Sequence, residues 1–246
     1  MCGRYTRTEG PDEWSEVRVP WRLSERLRAG DPALAPRYNI APSQIALVVR
    51  NLPAPVIEAL PWGLVPSWST DPTKGSRPIN ARAETLHEKP SFREPFRRRR
   101  CVVLADGFYE WKREGGGKVP YFIRLMGGET FALAGLWDEH GSPDAPLRTF
   151  AIVTTTPNEV LAPIHDRMPV ILDPESYDRW LDPSPRAPRD LAPLLRPYPA
   201  ARMEAYIVST MVGSVATDGP ACIEPIGTPA GNDARLRQLT VALEEP

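Results

Sequence analysis

Residues 100–111 read RCVVLADGFYEW, and this stretch decides the fold. Apolar and β-branched residues predict a strand at 101–104, and aromatic residues predict a second strand at 108–112. The three glycines at 115–117 predict a hairpin turn into a third strand at 121–125. Strands joined by short turns run antiparallel, so this part of the chain predicts an antiparallel sheet.

Outward from this stretch, the chain continues as short strands separated by proline and glycine, with a few helices inserted. Further strands are predicted at 45–49, 56–60, 131–136, 149–154, 170–172 and 203–207, and the glycines at 127–128 predict a second hairpin. Helices are predicted at 11–17, 23–29, 91–98, 158–162 and 174–181. The pattern indicates an α+β fold, in which a mostly antiparallel sheet curls toward a barrel-like core with surrounding helices.

The composition is that of a globular protein, because 41% of the 246 residues are hydrophobic and can furnish a core. No apolar stretch is long enough to span a bilayer, and the N-terminus lacks the apolar segment of a secretory signal. We therefore expect a cytoplasmic protein. The segment 182–201 is rich in proline, arginine and alanine, and we interpret it as a surface excursion rather than a linker between domains.

The charge and the cysteines exclude several classes of protein. A formal net charge of -1 excludes a generally basic nucleic-acid binder but not a local basic patch. The four arginines at 97–100 form either a solvated helix end or a stripe that follows phosphates. Cys2, Cys101 and Cys222 are odd in number and far apart, which argues against disulfides and a CxxC zinc site. We expect no metal and no cofactor.

Cys2 follows the initiator methionine, so removal of Met1 gives an N-terminal cysteine with a free α-amine. Such an amine, with a pKa of about 7.7 to 8.0, is roughly one-tenth neutral at pH 7 and can act as a nucleophile. The thiol, with a free pKa of about 8.5, then needs only a modest shift to ionise. Together they can close on an aldehyde as a five-membered thiazolidine ring. The alternative is a cysteine without a chemical role.

Two ionisable residues stand in settings that suit proton transfer. Glu110 lies among aromatic residues, where burial raises a carboxyl pKa and favours general acid–base chemistry; the alternative is the wet face of an edge strand. His165 lies in a loop that Pro163 and Pro169 constrain. Its imidazole is either an acid–base group aimed by the loop or a partner for a loop carbonyl.

Asn80 and Arg82 are two residues apart, so both side chains point to one face of an extended segment. The amide could hold an oxyanion or a hydroxyl and the arginine could meet a phosphate; the alternative is that Asn80 is a cap. Trp62 and Trp68 bracket a loop with glycine and proline. We expect one of them to lie in the core and the other to be free to stack on bases.

Eight short stretches, in this order, together resemble the SRAP (SOS response associated peptidase) family. They are MCGRY, RYNIAPSQ, WGLVPSW, INARAET, RCVVLADGFYEW, FALAGLWD, FAIVTTTPN and IHDRMPVIL, followed by VSTMVGSVATDGPACIEPI near the end. The resemblance covers the chain to about Thr228. It therefore implies a single SRAP domain at 1–228 and a C-terminal tail at 229–246.

The resemblance implies a protein that crosslinks to abasic sites in single-stranded DNA and shields them during replication. In that interpretation the amine of Cys2 forms a Schiff base with C1′ of the sugar, and the thiol closes it to a thiazolidine. Glu110 accepts or positions the amine proton, and His165 acts on O4′ of the sugar and in crosslink reversal. Asn80 orients the amine or the sugar oxygen.

The resemblance also implies the DNA-contacting residues and the partners. The partner is single-stranded DNA with abasic sites, including junctions with double-stranded DNA, which implies a monomer located at the nucleoid and replication forks. Arginines would clamp phosphates, while a proline and a tryptophan would wedge and stack at the abasic gap. The implied DNA-binding residues are Arg4, Asn39, Pro42, Trp68, Arg82, Thr154 and Arg167.

Two other functions remain open from the residues. The family name implies a thiol peptidase, in which Cys2 cleaves its own preceding peptide bond with help from Glu110 and His165. A non-covalent reader of modified or single-stranded DNA would instead use Trp68 and the arginines without forming a bond.

Overall fold

A computed structural model describes residues 2–14 and 19–226, and within these ranges it contains thirteen strands and three α-helices. The strands are β1 (Tyr5–Arg7), β2 (Arg37–Ile40), β3 (Ile45–Arg50), β4 (Ile57–Pro61), β5 (Asn80–Arg82), β6 (Arg100–Ala105), β7 (Gly107–Glu114), β8 (Gly117–Leu125), β9 (Phe131–His140), β10 (Leu147–Thr155), β11 (Met168–Pro169), β12 (Ile171–Leu172) and β13 (Met203–Ile207). The helices are α1 (Pro90–Arg98), α2 (Tyr177–Leu181) and α3 (Pro188–Leu191).

The strands form two sheets. The small sheet has the order β13-β8-β7-β1-β2, and the large sheet has the order β11-β10-β9-β6-β3-β4, with β12 paired to β9 and β5 paired to β10. Most pairs are antiparallel, as predicted, but β5 runs parallel to β10. The predicted hairpin at 115–117 joins β7 to β8, where Glu114 pairs with Gly117.

The large sheet lies between two hydrophobic layers, because its side chains alternate between its faces. On β6, Val102 and Leu104 pack into a core that α1, α2 and α3 cover, with Phe96 and Trp180 among its members. Cys101, Val103 and Ala105 point the other way, into a core shared with the small sheet. The helices and the small sheet therefore cover opposite faces of the large sheet.

Three details of the predicted architecture are wrong. The sheets are not closed into a barrel; a single bridge between Trp62 and Phe150 links the end of β4 to β10. The turn at Gly127 and Gly128 makes no hairpin, since β8 and β9 belong to different sheets. The predicted helix at 23–29 is a set of turns.

The remaining predicted helices had mixed outcomes. Those at 91–98 and 174–181 are confirmed as α1 and as α2 with a preceding 3-10 turn. Residues 158–162 form only tight turns. Of the helix predicted at 11–17, residues 11–13 form a turn and 15–17 lie outside the described residues, as does the tail predicted at 229–246.

The four arginines at 97–100 are structural at their C-terminal end. Arg100 is fully buried and donates to backbone carbonyls, including those of Trp180 and Asp182. Arg99 pairs with the buried Asp138. The segment 182–201 is not merely a surface excursion, since Leu191 is buried in the helix-covered core. Arg99, Arg100 and Leu191 therefore support the fold, whereas Arg97 and Arg98 are exposed at the end of α1 and pair with Glu94.

Candidate active site

The N-terminal segment lies beside β7 because β1 pairs with it. Tyr5 lies opposite Phe108, and the N–H of Tyr109 donates to the carbonyl of Arg4 at 3.0 Å. Continuing this antiparallel register toward the N-terminus places Cys2 alongside the part of β7 that carries Glu110. The pairing of two strands thus brings together residues that are more than a hundred positions apart.

Asp106, at the start of β7, fastens β1 in this position. Its carboxylate accepts hydrogen bonds from the hydroxyl of Thr6 and from both the N–H and the hydroxyl of Thr8. The N–H of Asp106 in turn donates to the carbonyl of Thr6 at 3.1 Å. Asp106 is buried, so these bonds replace the water that the carboxylate loses. Sequence reasoning missed this residue, although it lies within the ADGFYEW stretch.

Asn80 contacts Cys2 directly. It begins β5, whose parallel pairing with β10 places it opposite Ile152. Its Nδ2 donates to the carbonyl of Cys2 at 2.8 Å. Its buried Oδ1 has no hydrogen-bond partner within residues 2–14 and 19–226. The amide thus holds the backbone of Cys2 and keeps an acceptor for another group.

Glu110 and His165 face each other across the site. Oε2 of Glu110 lies 3.8 Å from Nε2 of His165. Glu110 is almost fully buried, and burial raises its pKa to about 7. The interpretation of Glu110 as a wet-face residue is therefore wrong. Its carboxyl group can gain or lose a proton near neutral pH, as a general acid or base must.

His165 is oriented by the turn that precedes it. Its N–H donates to the carbonyl of Leu161 at 2.9 Å, and its Nδ1 accepts the N–H of Arg167 at 3.0 Å. The bond from Arg167 favours the neutral tautomer that carries its proton on Nε2, the nitrogen that faces Glu110, while Nδ1 also lies 3.0 Å from Oδ1 of Asp166. Burial lowers the pKa of His165, which favours this neutral form.

The thiol of Cys2 differs from what the sequence suggested. Burial raises its pKa, and the negative charge of Glu110 acts in the same direction. Its Sγ lies 3.9 Å from the carbonyl oxygen of Arg4, to which it can donate weakly. The thiol is therefore protonated at neutral pH, which suits a group that reacts after the amine rather than as a free thiolate.

A cleft of about 700 Å³ opens onto these groups. Glu110, His165 and Asp166 line it together with Gly213 and the cations of the β7–β8 hairpin. Cys2 lies next to Glu110, which lines this cleft, and Asn80 is hydrogen-bonded to Cys2. The structure thus brings together all four of the predicted catalytic residues.

The predicted DNA-contacting residues divide into exposed and buried groups. Trp68 is 63% exposed, whereas Trp62 is buried against Tyr5 and Phe150, so one tryptophan of the pair is a core residue. Arg82 is exposed and Pro42 is partly exposed. These residues are accessible to a strand of DNA.

Asn39 and Thr154 are buried. Asn39 Nδ2 donates to the carbonyls of Val212, Ser214 and Thr217 and so holds the loop that carries them. The Oγ1 of Thr154 has no hydrogen-bond partner among the described residues. Asn39 therefore mainly holds the loop at 212–217 in place. Thr154 is buried and lies opposite Arg82 in the pairing of β10 with β5.

Two predicted arginines are already engaged by protein groups. Arg4 donates to Oδ1 of Asn39 and to the carbonyls of Val212 and Gly213. Arg167 makes a bidentate pair with Glu84, at 2.8 and 2.9 Å, and this pair lowers the pKa of Glu84. Glu84 was not predicted, although it stands in the INARAET stretch. The positive charge of Arg167 is thus compensated by Glu84 within the protein.

Across residues 2–14 and 19–226, no three His, Cys, Asp or Glu side chains are grouped to hold a metal ion. No helix in the same ranges is long and apolar enough to cross a bilayer.

Comparison with known families decides the relationship. The sequence profile of the SRAP (SOS response associated peptidase) family matches residues 1–215. The chain belongs to the SRAP family. The resemblance inferred from the eight stretches is therefore confirmed. Within the SRAP fold, the match spans β1 to β13 and includes Cys2, Asn80, Glu110 and His165.

Relatives of this SRAP chain are similar along most of its length. It is 44% identical to abasic site processing protein YoqW of Bacillus subtilis (strain 168), over 91% of this chain and 99% of YoqW. It is 39% identical to abasic site processing protein HMCES of Gallus gallus, over 70% of this chain and 58% of HMCES. A solved protein of Bacteroides thetaiotaomicron superimposes with a TM-score of 0.77 at 27% identity, covering 92% of this chain and 100% of that one.

Proposed function

We propose that this protein processes abasic sites in single-stranded DNA by bonding to them covalently through Cys2. The names of YoqW and HMCES support the substrate class. One observation carries the mechanism: Asn80 holds the backbone of Cys2 next to a buried Glu110 whose pKa is about 7. The ring-opened abasic sugar presents an aldehyde at C1′, which an N-terminal aminothiol captures.

The reaction begins once Met1 has been removed and the α-amine of Cys2 is free. The amine adds to C1′, and Glu110 carries one proton from nitrogen to the alkoxide to give a carbinolamine. Glu110 then carries the second amine proton to the hydroxyl, which leaves as water and gives the Schiff base. Sγ then adds to C1′ while the thiol proton moves to nitrogen, which closes the thiazolidine. One C–N and one C–S bond form, and one water is lost overall.

His165 serves the opening of the sugar ring. Its Nε2–H donates to O4′ as the O4′–C1′ bond breaks, while the Glu110 carboxylate takes the proton of the C1′ hydroxyl. Glu110 then returns that proton to Nε2, 3.8 Å away, so that the imidazole ends neutral and the carboxylate is ready for the amine. The same pair, working in reverse, returns the sugar to its closed form when the crosslink is reversed. The groups come from one chain, so we propose that a monomer is sufficient, acting on DNA at replication forks.

The raised pKa of the Cys2 thiol disfavours a thiol peptidase, because such an enzyme attacks with a thiolate. We therefore assign the removal of Met1 to an aminopeptidase that acts before the small residue Cys2. A non-covalent reader of DNA needs no buried acid beside the N-terminal backbone.

The test is to incubate the purified protein with a single-stranded oligonucleotide that carries one abasic site. We expect a species stable to heat and denaturant, with a mass equal to protein without Met1 plus DNA minus one water. Cys2→Ala should give none, and Cys2→Ser at most a Schiff base that needs borohydride to trap it. Cys222→Ala is the matched control, since it removes a buried cysteine outside the cleft.

Two further substrates sharpen the result. An undamaged strand and a tetrahydrofuran analogue, which has no aldehyde, should bind without forming a stable species. If the protein lacking Met1 binds the abasic strand and forms no stable species, covalent capture is wrong and the non-covalent reader is favoured.

A further inference from the structure

The β7–β8 hairpin forms one wall of the cleft that contains Glu110. This wall carries Lys112, Arg113 and Lys118, while the opposite wall carries Asp166. The cleft therefore has a cationic side and an acidic side. An anionic ligand that enters it would lie against the hairpin.

The hairpin places two exposed cations opposite each other. Gly115 and Gly116 form a two-residue turn with φ values of 59° and 79°, which residues other than glycine rarely adopt. This turn fixes the register so that Arg113 lies directly opposite Lys118. Like charges directly opposite on paired strands destabilise a sheet. Neither side chain has an acidic partner among residues 2–14 and 19–226.

The third cation of this wall, Lys112, lies nearer to the reacting groups. It is two residues from Glu110 on β7, about 7 Å along the strand, and its side chain points to the same face. By the same alternation Arg113 and Lys118 lie on the other face of the hairpin, and they line the cleft from beside its turn. Its only recorded acidic neighbour in the described chain is Glu114, at 3.9 Å, and both side chains are about half exposed or less. Its charge is therefore only weakly compensated.

We propose that Arg113 and Lys118, with Lys112 beside them, form a phosphate subsite for the DNA strand on one side of the abasic nucleotide. This inference rests on the proposed function and adds a binding site to it. A phosphodiester between Arg113 and Lys118 would relieve their mutual repulsion. It would also be continuous with the strand whose sugar reaches Glu110.

The engagement of other arginines near the site supports this assignment. Arg167 is neutralised by Glu84, and Arg4 already donates to three oxygen atoms of the protein. The hairpin cations have no comparable partners in the described ranges. They can bind a phosphate without breaking a contact within the protein.

The experiment measures reversible binding of a tetrahydrofuran-containing single strand to the wild type and to Arg113→Gln/Lys118→Gln. Because this analogue has no aldehyde, the result does not depend on crosslinking. We expect binding to weaken about tenfold at low salt, and the slope of log K against log salt to fall by about 0.7 per lost phosphate contact. With the natural abasic strand, the loss should appear in the half-saturating DNA concentration rather than in the rate at saturation.

Two comparisons show whether the effect is local. Oligonucleotides shortened stepwise from the 5′ or the 3′ side should remove the difference between wild type and variant on one side only. Arg93→Gln/Arg189→Gln is the matched control, because both arginines are exposed on helices that cover the opposite face of the large sheet.

The outcomes separate this proposal from the proposed function. If the hairpin variant and the control weaken binding equally, or if shortening the strand on either side changes nothing, the subsite is wrong even when crosslinking is intact. If neither the wild type nor any variant crosslinks, but the hairpin variant alone loses affinity and salt dependence, the phosphate subsite is supported and covalent capture is wrong.

Discussion

Nε2 of His165 lies 3.8 Å from Oε2 of Glu110, and the two groups differ sharply in their surroundings. Glu110 is almost fully buried, whereas about a quarter of the His165 side chain is open to solvent. Burial acts on the two in opposite directions, raising the pKa of Glu110 and lowering that of His165. Glu110 can therefore exchange a proton near neutral pH from inside the protein, whereas the neutral form of His165 is favoured at the surface.

The first prediction concerns the pH dependence of crosslinking. Glu110 accepts a proton only when it is ionised, so the rate should rise about tenfold per pH unit below its pKa of about 7 and level off above pH 8. Glu110→Gln should lower the rate at least about 100-fold and remove the inflection near pH 7, leaving only the one set by the Cys2 amine, at about pH 8. Quenched time courses from pH 5.5 to 8.5 measure both; Glu94→Gln, on α1, is the control. An unchanged inflection in Glu110→Gln would assign it to another group.

The second prediction concerns stability. The pKa of Glu110 is about 7 in the folded protein and 4.5 ordinarily, so folded protein binds the proton more tightly than unfolded protein does. The resulting stability is fully present below pH 4.5 and is lost as the pH rises through 7. Glu110→Gln removes this loss. It should therefore raise the free energy of unfolding above pH 8, by up to about 3 kcal/mol, and leave it nearly unchanged at pH 4.

Denaturant melts at the two pH values measure this difference. Equal destabilisation of Glu110→Gln at both would mean that the buried carboxylate is compensated in the folded protein.

The third prediction concerns Asn80. Asn80→Ala leaves the Cys2 carbonyl without its donor, which should cost about 1 kcal/mol of stability. Asn80→Asp keeps the size but replaces the donor with an acceptor. Both variants should slow crosslinking at least about tenfold, because the Cys2 backbone loses its orientation. Wild-type rates in Asn80→Asp would show that the amide only supports the fold.

The fourth prediction separates two arginines. Arg167→Gln breaks the pair with Glu84 and the bond to the Thr154 carbonyl, and should cost about 1.5 to 3 kcal/mol of stability. Arg82→Gln should change stability by less than about 0.5 kcal/mol, because the side chain is exposed. It should instead weaken DNA binding and its salt dependence.

A double-mutant cycle of Arg167→Gln with Glu84→Gln checks this prediction. The effects should be non-additive if the pair is the main contact of Arg167. Additive losses of stability would place the contribution of Arg167 elsewhere.

The fifth prediction concerns Trp68. Trp68→Ala should weaken binding of single-stranded DNA by about 1 to 3 kcal/mol with little change in thermal stability, because its ring is 63% exposed. Trp62→Ala provides the contrast and should cost about 3 to 5 kcal/mol of stability, because its ring is buried. Unchanged DNA affinity in Trp68→Ala would remove this side chain from the binding surface.

The sequence predicted the strands of the core well, because 101–104 and 131–136 are apolar runs bounded by breakers. It missed β1, β2, β5 and β11, which have two to four residues and form only by pairing with strands distant in sequence. Their positions depend on tertiary contacts, as the pairing of β5 with β10 shows. The helix predicted at 23–29 failed because local propensity was overridden by the pairing of Leu23 with Ile57.

The candidate catalytic residues were chosen from motifs, which could not predict their environments. The sequence identified Cys2 and Glu110; it could not show that burial raises the pKa of the thiol. That effect depends on what covers the residue in three dimensions. The ion pair of Arg167 with Glu84, 83 positions away, also depends on the three-dimensional fold. So does the hydrogen bond that Asp106 accepts from Thr6.

The attachment of β1 through Asp106 has a consequence for where the reactivity resides. A free peptide beginning Cys-Gly-Arg-Tyr has the same amine and thiol, but nothing restricts their motion. Here the strand that follows Cys2 is already ordered when the protein has folded, so the proposed reaction would not bear the entropy of ordering it. Transplanting the chemistry into another scaffold would therefore require the small sheet and its Asp106 anchor, and not the terminal tetrapeptide alone.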